Sequence, residues 1–199
     1  MRRRPTVLVL ALATTLTVLG AAPAQAVTKA ISIVSQTAGF SPATVTSAFG
    51  TTFKWTNNDS ITHTSTQNSP LSLWNSHNIS ADSSYSKVIN YAGTYGYHCT
   101  IHTSMTGTIK VPITVSPSSG TTSTTFTITV AAVSAPSGFT YDAQKRRGGS
   151  WTTLKTGFTT KSVTFRPSQT GTWSFRARLH KTSGGATSGW SPVKSVSVT

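Results

Sequence analysis

Beyond residue 26 the apolar positions recur at every second residue, in short runs cut by Gly, Pro, Ser and Thr. That is the period of half-buried β-strands, whose side chains alternate between two faces. Ile31-Ser32-Ile33-Val34 is a β-branched run, closed by Phe40-Ser41-Pro42, and Thr51-Thr52-Phe53-Lys54-Trp55-Thr56 alternates apolar with polar. Tyr85 to Ile89, Tyr95-Gly96-Tyr97-His98-Cys99 and Thr108 to Val115 follow, with Gly93 and Gly107 as breaks. In the last run Ile109, Val111, Ile113 and Val115 share one face, and Pro112 marks an edge or a strand end. Farther on, Phe126, Ile128 and Val130 alternate, as do Val163 and Phe165, while Trp173, Phe175, Ala177 and Leu179 share a face. No stretch after residue 26 carries a helical period. The pattern predicts an all-β chain of two successive β-sandwiches.

The first 26 residues read differently. Met1-Arg2-Arg3-Arg4, an apolar run from Val7 to Ala22 and Ala24-Gln25-Ala26 have the basic start, apolar core and small-residue end of a secretory signal peptide. The apolar run falls short of the roughly 20 residues a spanning helix needs. The expected mature protein is secreted, extracellular or associated with the cell envelope, with no later membrane span. Ser116-Pro117-Ser118-Ser119-Gly120-Thr121-Thr122-Ser123 is small, polar and turn-rich. It divides the chain into a signal peptide (1–26), a first domain (27–115), a linker (116–123) and a second domain (124–199).

Charge sharpens this division. The chain of 199 residues carries a formal net charge of +14. Residues 27–115 are nearly neutral, with Lys29, Lys54, Lys87 and Lys110 against Asp59 and Asp82. Residues 116–199 hold ten Lys and Arg against Asp142 alone. A basic domain outside the cell suits electrostatic tethering to an anionic surface such as acidic wall polymer or lipid headgroups. Nucleic acid is not an expected partner of an exported chain that shows no base-stacking surface.

The chemistry concentrates in Tyr97-His98-Cys99-Thr100-Ile101-His102-Thr103-Ser104-Met105. Cys99 is the only cysteine, and an exported protein normally pairs its thiols or avoids them. A lone cysteine in C-x-x-H-x-x-M is explained as a metal thiolate. Copper in electron-transfer sites takes one thiolate, two imidazoles and a weak axial thioether. Cys99, His102 and Met105 offer three of these donors, and His63, in the loop after Trp55-Thr56-Asn57-Asn58, is placed to supply the fourth. Strand alternation turns Tyr95, Tyr97 and Cys99 toward the core and His98 away from it. His77 reads as a loop residue, and His180 lies with Arg176 and Arg178 on a polar strand face.

These residues resemble the blue copper proteins, or cupredoxins, in their plastocyanin and amicyanin group. The likeness spans roughly residues 30–115. It rests on Phe40-Ser41-Pro42 with Val45 and Gly50, Phe53-Lys54-Trp55-Thr56-Asn57-Asn58-Asp59 before His63-Thr64, Ala92-Gly93-Thr94-Tyr95-Gly96-Tyr97-His98-Cys99, and Met105-Thr106-Gly107-Thr108-Ile109. The two-residue gaps on either side of His102 are similar to the short ligand loop of amicyanin. The resemblance implies a Greek-key sandwich binding one type 1 copper, with His63, Cys99 and His102 equatorial and Met105 axial. One departure is Trp74-Asn75-Ser76-His77-Asn78-Ile79, where many relatives have a glycine near His77. In the second half, Gly171-Thr172-Trp173-Ser174-Phe175-Arg176-Ala177-Arg178 and Gly189-Trp190-Ser191-Pro192 resemble the last strands of fibronectin type III or immunoglobulin-like domains.

A four-donor cage leaves no open position for substrate, so the expected function is one-electron transfer to a redox partner protein and not enzymatic turnover. Copper sequestration outside the cell without redox turnover is the alternative. The His98-Cys99 pair is superficially similar to the wiring of copper nitrite reductases. A second catalytic copper would need further histidines, and only His77 and His180 remain. The second half contains no carboxylate pair, no Ser/His/Asp set and no phosphate loop.

Overall fold

A computed structural model describes residues 27–199; the expected leader lies outside the described residues. Every regular element among the described residues is a strand. No helix there is long and apolar enough to cross a membrane. The all-β expectation is borne out.

The first half contains β1 (Thr28–Ser35), β2 (Gly39–Ser41), β3 (Thr44–Thr46), β4 (Thr51–Asn57), β5 (Thr66–Gln67), β6 (Ser84–Ile89), β7 (Gly93–His98) and β8 (Thr106–Val111). They form two four-stranded sheets, in the orders β2-β1-β4-β6 and β3-β8-β7-β5. Two pairings, β1 with β4 and β3 with β8, are parallel, and the others are antiparallel. The alternation in β4 and β7 drives the two sheets together, because each strand buries every second residue. Aromatic rings join the layers: Tyr97 of β7 packs on Phe40 of β2 at 4.8 Å and edge-on to Trp55 of β4 at 5.4 Å. Gly107, expected as a break, instead lies inside β8. A Cβ there would fall 2.2 Å from Tyr97 Cζ, so only glycine lets the tyrosine ring lie flat beneath the strand.

The second half contains β9 (Thr114–Ser116), β10 (Ser119–Gly120), β11 (Phe126–Thr129), β12 (Phe139–Arg146), β13 (Thr152–Phe158), β14 (Ser162–Phe165), β15 (Gly171–Lys181) and β16 (Lys194–Val198). A five-stranded sheet, β10-β16-β15-β12-β13, faces a three-stranded sheet, β14-β11-β9. Phe165 of β14 bridges them, 4.7 Å from the Trp173 ring and 5.3 Å from the Phe175 ring of β15.

The run from Ile109 to Val115 is not one strand. Its four aliphatic residues are all buried, but the chain breaks at Pro112 and crosses between halves: Val111 pairs with Gly93 and Val115 with Ile128. Proline lacks the N–H that a continuous ladder would need there. The polar stretch after it is also partly woven in, since Ser119 and Gly120 pair in parallel with Ser197 and Val198.

The halves meet at the start of β7. Ala92 N–H donates to Val130 O at 2.8 Å, Ala132 N–H donates to Asn90 O at 2.9 Å, and Thr94 and Gly189 exchange two backbone hydrogen bonds of 2.9 Å. Six residues of extended chain separate this joint from Cys99, about 20 Å at strand rise. The metal-donor end of β7 therefore points away from the second half.

Candidate metal centre

Two loops bring the donors together, and each is tied down by backbone-directed hydrogen bonds. Asn57, fully buried at the end of β4, donates through Nδ2 to Ile61 O at 2.7 Å and Ile79 O at 2.9 Å, and its Oδ1 accepts from Asp59 N–H at 3.0 Å. One amide side chain thus shapes the whole turn leading to His63. His63 is then held by a reciprocal backbone pair with Ile79, at 3.1 and 2.8 Å. In the second loop Cys99 N–H donates to Met105 O at 3.0 Å and Met105 N–H to His102 O at 2.9 Å, which folds Cys99, His102 and Met105 into one closed turn. Thr64 stitches the two loops, its Oγ1 accepting from Thr100 N–H at 2.7 Å.

The structure brings His63, Cys99 and His102 together, with their donor atoms all within 4.8 Å of one another. The sulfur lies 3.9 Å from His63 Nδ1 and 3.7 Å from His102 Nδ1, and the two Nδ1 atoms are 3.1 Å apart. His63 and Cys99 are fully buried, while His102 is partly exposed, so one imidazole edge reaches the surface. Met105 is buried, and its backbone closes the same loop. Exposed Ile61 and Ile101 give the two donor-bearing loops apolar tips.

Electrostatics favour a thiolate. Burial opposes ionisation of Cys99, but hydrogen bonds from the His102 and Thr64 amides and the His63 side chain outweigh it, and the thiol is lowered to about 6. Thr64 N–H reaches the sulfur at 3.3 Å. On the far side of His63, Nε2 bonds Asp59 Oδ2 at 3.0 Å. This bond holds the Asp59 carboxyl below its ordinary value and leaves Nδ1 free to act as a donor toward a metal. A thiolate and two imidazoles, with Met105 buried in the same loop, form a set suited to a soft or borderline metal ion, and the described residues fit copper on that chemistry.

The other histidines lie outside the cluster. His98 turns outward, its Nδ1 bonding Asn68 Oδ1 at 2.8 Å, His77 is exposed in a loop, and His180 Nδ1 lies 3.4 Å from Asp142. Sequence reasoning assigned no role to Asn57, Asp59 or Thr64. Only their positions, at a strand end and immediately around His63, signal a supporting part.

The cupredoxin-like domain family matches residues 8–111, and the chain belongs to that family. The match begins within the residues read as a leader, which lie outside the described ones. Among solved structures, the chain is similar to a purple cupredoxin from Nitrosopumilus maritimus, with 27% identity over 41% of this chain and 97% of that one, at a TM-score of 0.38. It is also similar to an amicyanin variant in its Cu(I) form, with 22% identity over 43% of this chain and 81% of that one, at a TM-score of 0.38. A second amicyanin variant, in its reduced Cu(I) form at pH 4, shows 24% identity over 45% and 85%, again at 0.38. No curated protein matches the chain.

Proposed function

We propose that this chain is an exported one-electron carrier that holds one type 1 copper through His63, Cys99, His102 and Met105. The observation that carries this reading is the convergence of one low-pKa thiol and two imidazole Nδ1 atoms in a cage whose loops are fixed by Asn57 and Thr64. Bound copper would supply the one-electron couple. The chain's own residues do the rest. Asp59 orients His63, the Thr64 amide stabilises negative charge on sulfur, and burial of Cys99 excludes water from the thiolate. The partly exposed edge of His102, with Ile101 beside it in sequence, is the side from which a redox partner protein approaches. A closed donor set has no position for substrate, so the chain is not itself an enzyme.

The second domain, which we read as fibronectin type III or immunoglobulin-like, tethers the chain to an anionic cell-envelope surface. Ten cations against one acid support that role. Its joint with the copper domain lies at the opposite end of β7 from Cys99, which leaves the His102 edge accessible.

The test is the visible spectrum of the copper-loaded full chain through cycles of reductant and oxidant. An intense charge-transfer colour that bleaches and returns supports the carrier. A colourless protein that holds copper(I) and does not cycle replaces this reading with sequestration.

A further inference from the structure

On the outer face of the five-stranded sheet, five side chains from four segments stack in one row. Trp151, between β12 and β13, has the Arg146 Cζ 4.5 Å and the Arg176 Cζ 4.3 Å from its ring centroid. Trp190, ahead of β16, has Arg176 at 4.6 Å and Arg178 at 4.5 Å. The order is Arg146, Trp151, Arg176, Trp190, Arg178. All five side chains are partly buried, so the row lies along the sheet and does not project from it.

Of the three guanidinium groups only one is paired with a carboxylate. Arg178 Nε donates to buried Asp142 at 3.1 Å, and that carboxylate also accepts from Gly157 N–H at 3.2 Å. Arg176 donates from Nε and Nη2 to Gln144 Oε1, a neutral partner, at 2.9 and 2.7 Å. Burial, followed by the charges of Arg146 and Arg178, holds the Arg176 guanidinium below its ordinary value. The row is therefore a line of cations stabilised by ring faces and undercompensated by anions.

We propose that this row is a docking site for a linear phosphodiester polymer that carries no aromatic bases, such as a polyol phosphate. Guanidinium groups pair with phosphate oxygens through two parallel hydrogen bonds, and cations repeated along a line match charges repeated along a chain. Nucleic acid is disfavoured, because each of Trp151 and Trp190 already carries two guanidinium groups within 4.6 Å of its ring centroid, and these compete with a base for the ring. A membrane surface is disfavoured too, since the row offers no protruding apolar side chain to insert. At Arg178 the row opens into a groove of about 490 Å³ lined also by Thr140, Thr156, Thr182, His180 and Asp142, the last a carboxylate paired with Arg178 and beside His180; the hydroxyl groups suit the hydroxyls of a polyol. This deepens the tethering reading above and rests on it.

The experiment titrates the full chain with poly(glycerol phosphate) at low and moderate salt, following tryptophan fluorescence. Binding that weakens with salt is expected. Arg146→Gln should weaken it about tenfold, the loss of one charge-assisted contact. Arg176→Lys, which keeps the charge but loses the planar fork, should weaken it about fivefold. Lys161→Gln, an equal loss of charge at an exposed position just before β14 of the three-stranded sheet, should stay within about twofold. Urea midpoints of the three variants check that each is folded. No binding by the unmodified chain overturns both the tether and the row. Binding weakened equally by Arg146→Gln and Lys161→Gln retains the tether and overturns the row. Tighter binding to a single-stranded oligonucleotide, or to phosphatidylglycerol vesicles, overturns the choice of ligand.

Discussion

The two halves are built from the same element and treat polar groups in opposite ways. In the first half the donors are gathered at one end of the sandwich, and the two buried polar ones have assigned partners, Asp59 for His63 and the Thr64 amide for Cys99, while Thr64 Oγ1 holds the Thr100 amide. In the second half three of the cations, Arg146, Arg176 and Arg178, run along a sheet face against indole rings, with one carboxylate among them. The first arrangement spends its hydrogen bonds on fixing a geometry for one small ligand. The second leaves charge unpaired over a distance, which suits an extended partner. Neither property follows from the fold class, because both halves are β-sandwiches.

The largest effect that tests this contrast is at Cys99. Cys99→Ser should abolish the charge-transfer colour of the copper-loaded protein, because the thiolate makes the dominant bond, whereas Met105→Leu should keep a coloured site with a shifted potential. Visible absorption and potentiometry read the two outcomes, and a serine variant that stays intensely coloured would overturn the ligand assignment. The same thiol ties the metal-free protein to pH. Its folded value of about 6 lies below the ordinary 9.0, so the unfolded chain binds the extra proton between those values. The contribution is complete above the ordinary value and is lost as pH falls through about 6. Urea midpoints of the metal-free protein should therefore rise from pH 6 to pH 9, and the rise should be smaller in Cys99→Ser.

Next in size is the joint. Gly93 has Ser188 Oγ at 2.6 Å and the fully buried Tyr95 ring at 2.9 Å from where a Cβ would stand. Gly93→Ala should destabilise the chain by about 1–3 kcal/mol through overpacking. With the metal centre about 20 Å along β7, the colour of the loaded protein should not change. Denaturation and absorption on one sample separate the effects, and a colour change would mean that the joint and the metal centre are mechanically coupled.

A smaller effect is expected within the cage. Thr64→Val removes the acceptor of the Thr100 amide at 2.7 Å while leaving its own N–H on sulfur at 3.3 Å. Thr100 is exposed and water replaces part of the bond, so the cost should be about 1 kcal/mol. A loss of metal affinity without loss of stability would show instead that Thr64 acts on the thiolate and not on the loop junction.

The convergence of Cys99 and His102 was legible in the sequence because their spacing is local, whereas His63 comes from a second loop. C-x-x-H-x-x-M lies within one turn, and a lone cysteine in an alternating run already points inward. The supports were not legible, since Asn57, Asp59 and Thr64 are ordinary polar residues until folding sets Ile79, His63 and Thr100 against them. The strand pattern held except where sterics outrank periodicity. Gly107 looks like a break and is a strand residue over Tyr97, and the aliphatic run from Ile109 to Val115 looks continuous but is divided by Pro112 between two sheets. Nor could the Arg and Trp row be read from the chain. Trp151 and Trp190 are 39 positions apart; Trp151 is brought to Arg176 by the pairing of β12 with β15, and Trp190 by the Ser188 and Ser191 amides that bond Leu179 O and Ala177 O.

The smallest predicted effect concerns a left-handed backbone position in the loop before Ile79. The φ of His77, 53°, lies in the left-handed region. That conformation costs a side-chain-bearing residue about 1 kcal/mol or more. The local hydrogen bonds are all to backbone: His77 N–H donates to Asn75 Oδ1 at 2.8 Å, and His77 O accepts from Ser76 Oγ at 2.7 Å. Glycine would keep both bonds and relieve the strain, while the greater freedom of its unfolded chain offsets part of the gain. His77→Gly should thus stabilise the protein by about 0.5 kcal/mol, and His77→Ala, which retains a Cβ, should give no such gain. Because the imidazole is exposed and outside the donor cluster, copper colour should be unchanged in both. Urea midpoints of the pair decide the matter: equal shifts would mean that the imidazole, and not the backbone, sets the stability of this loop.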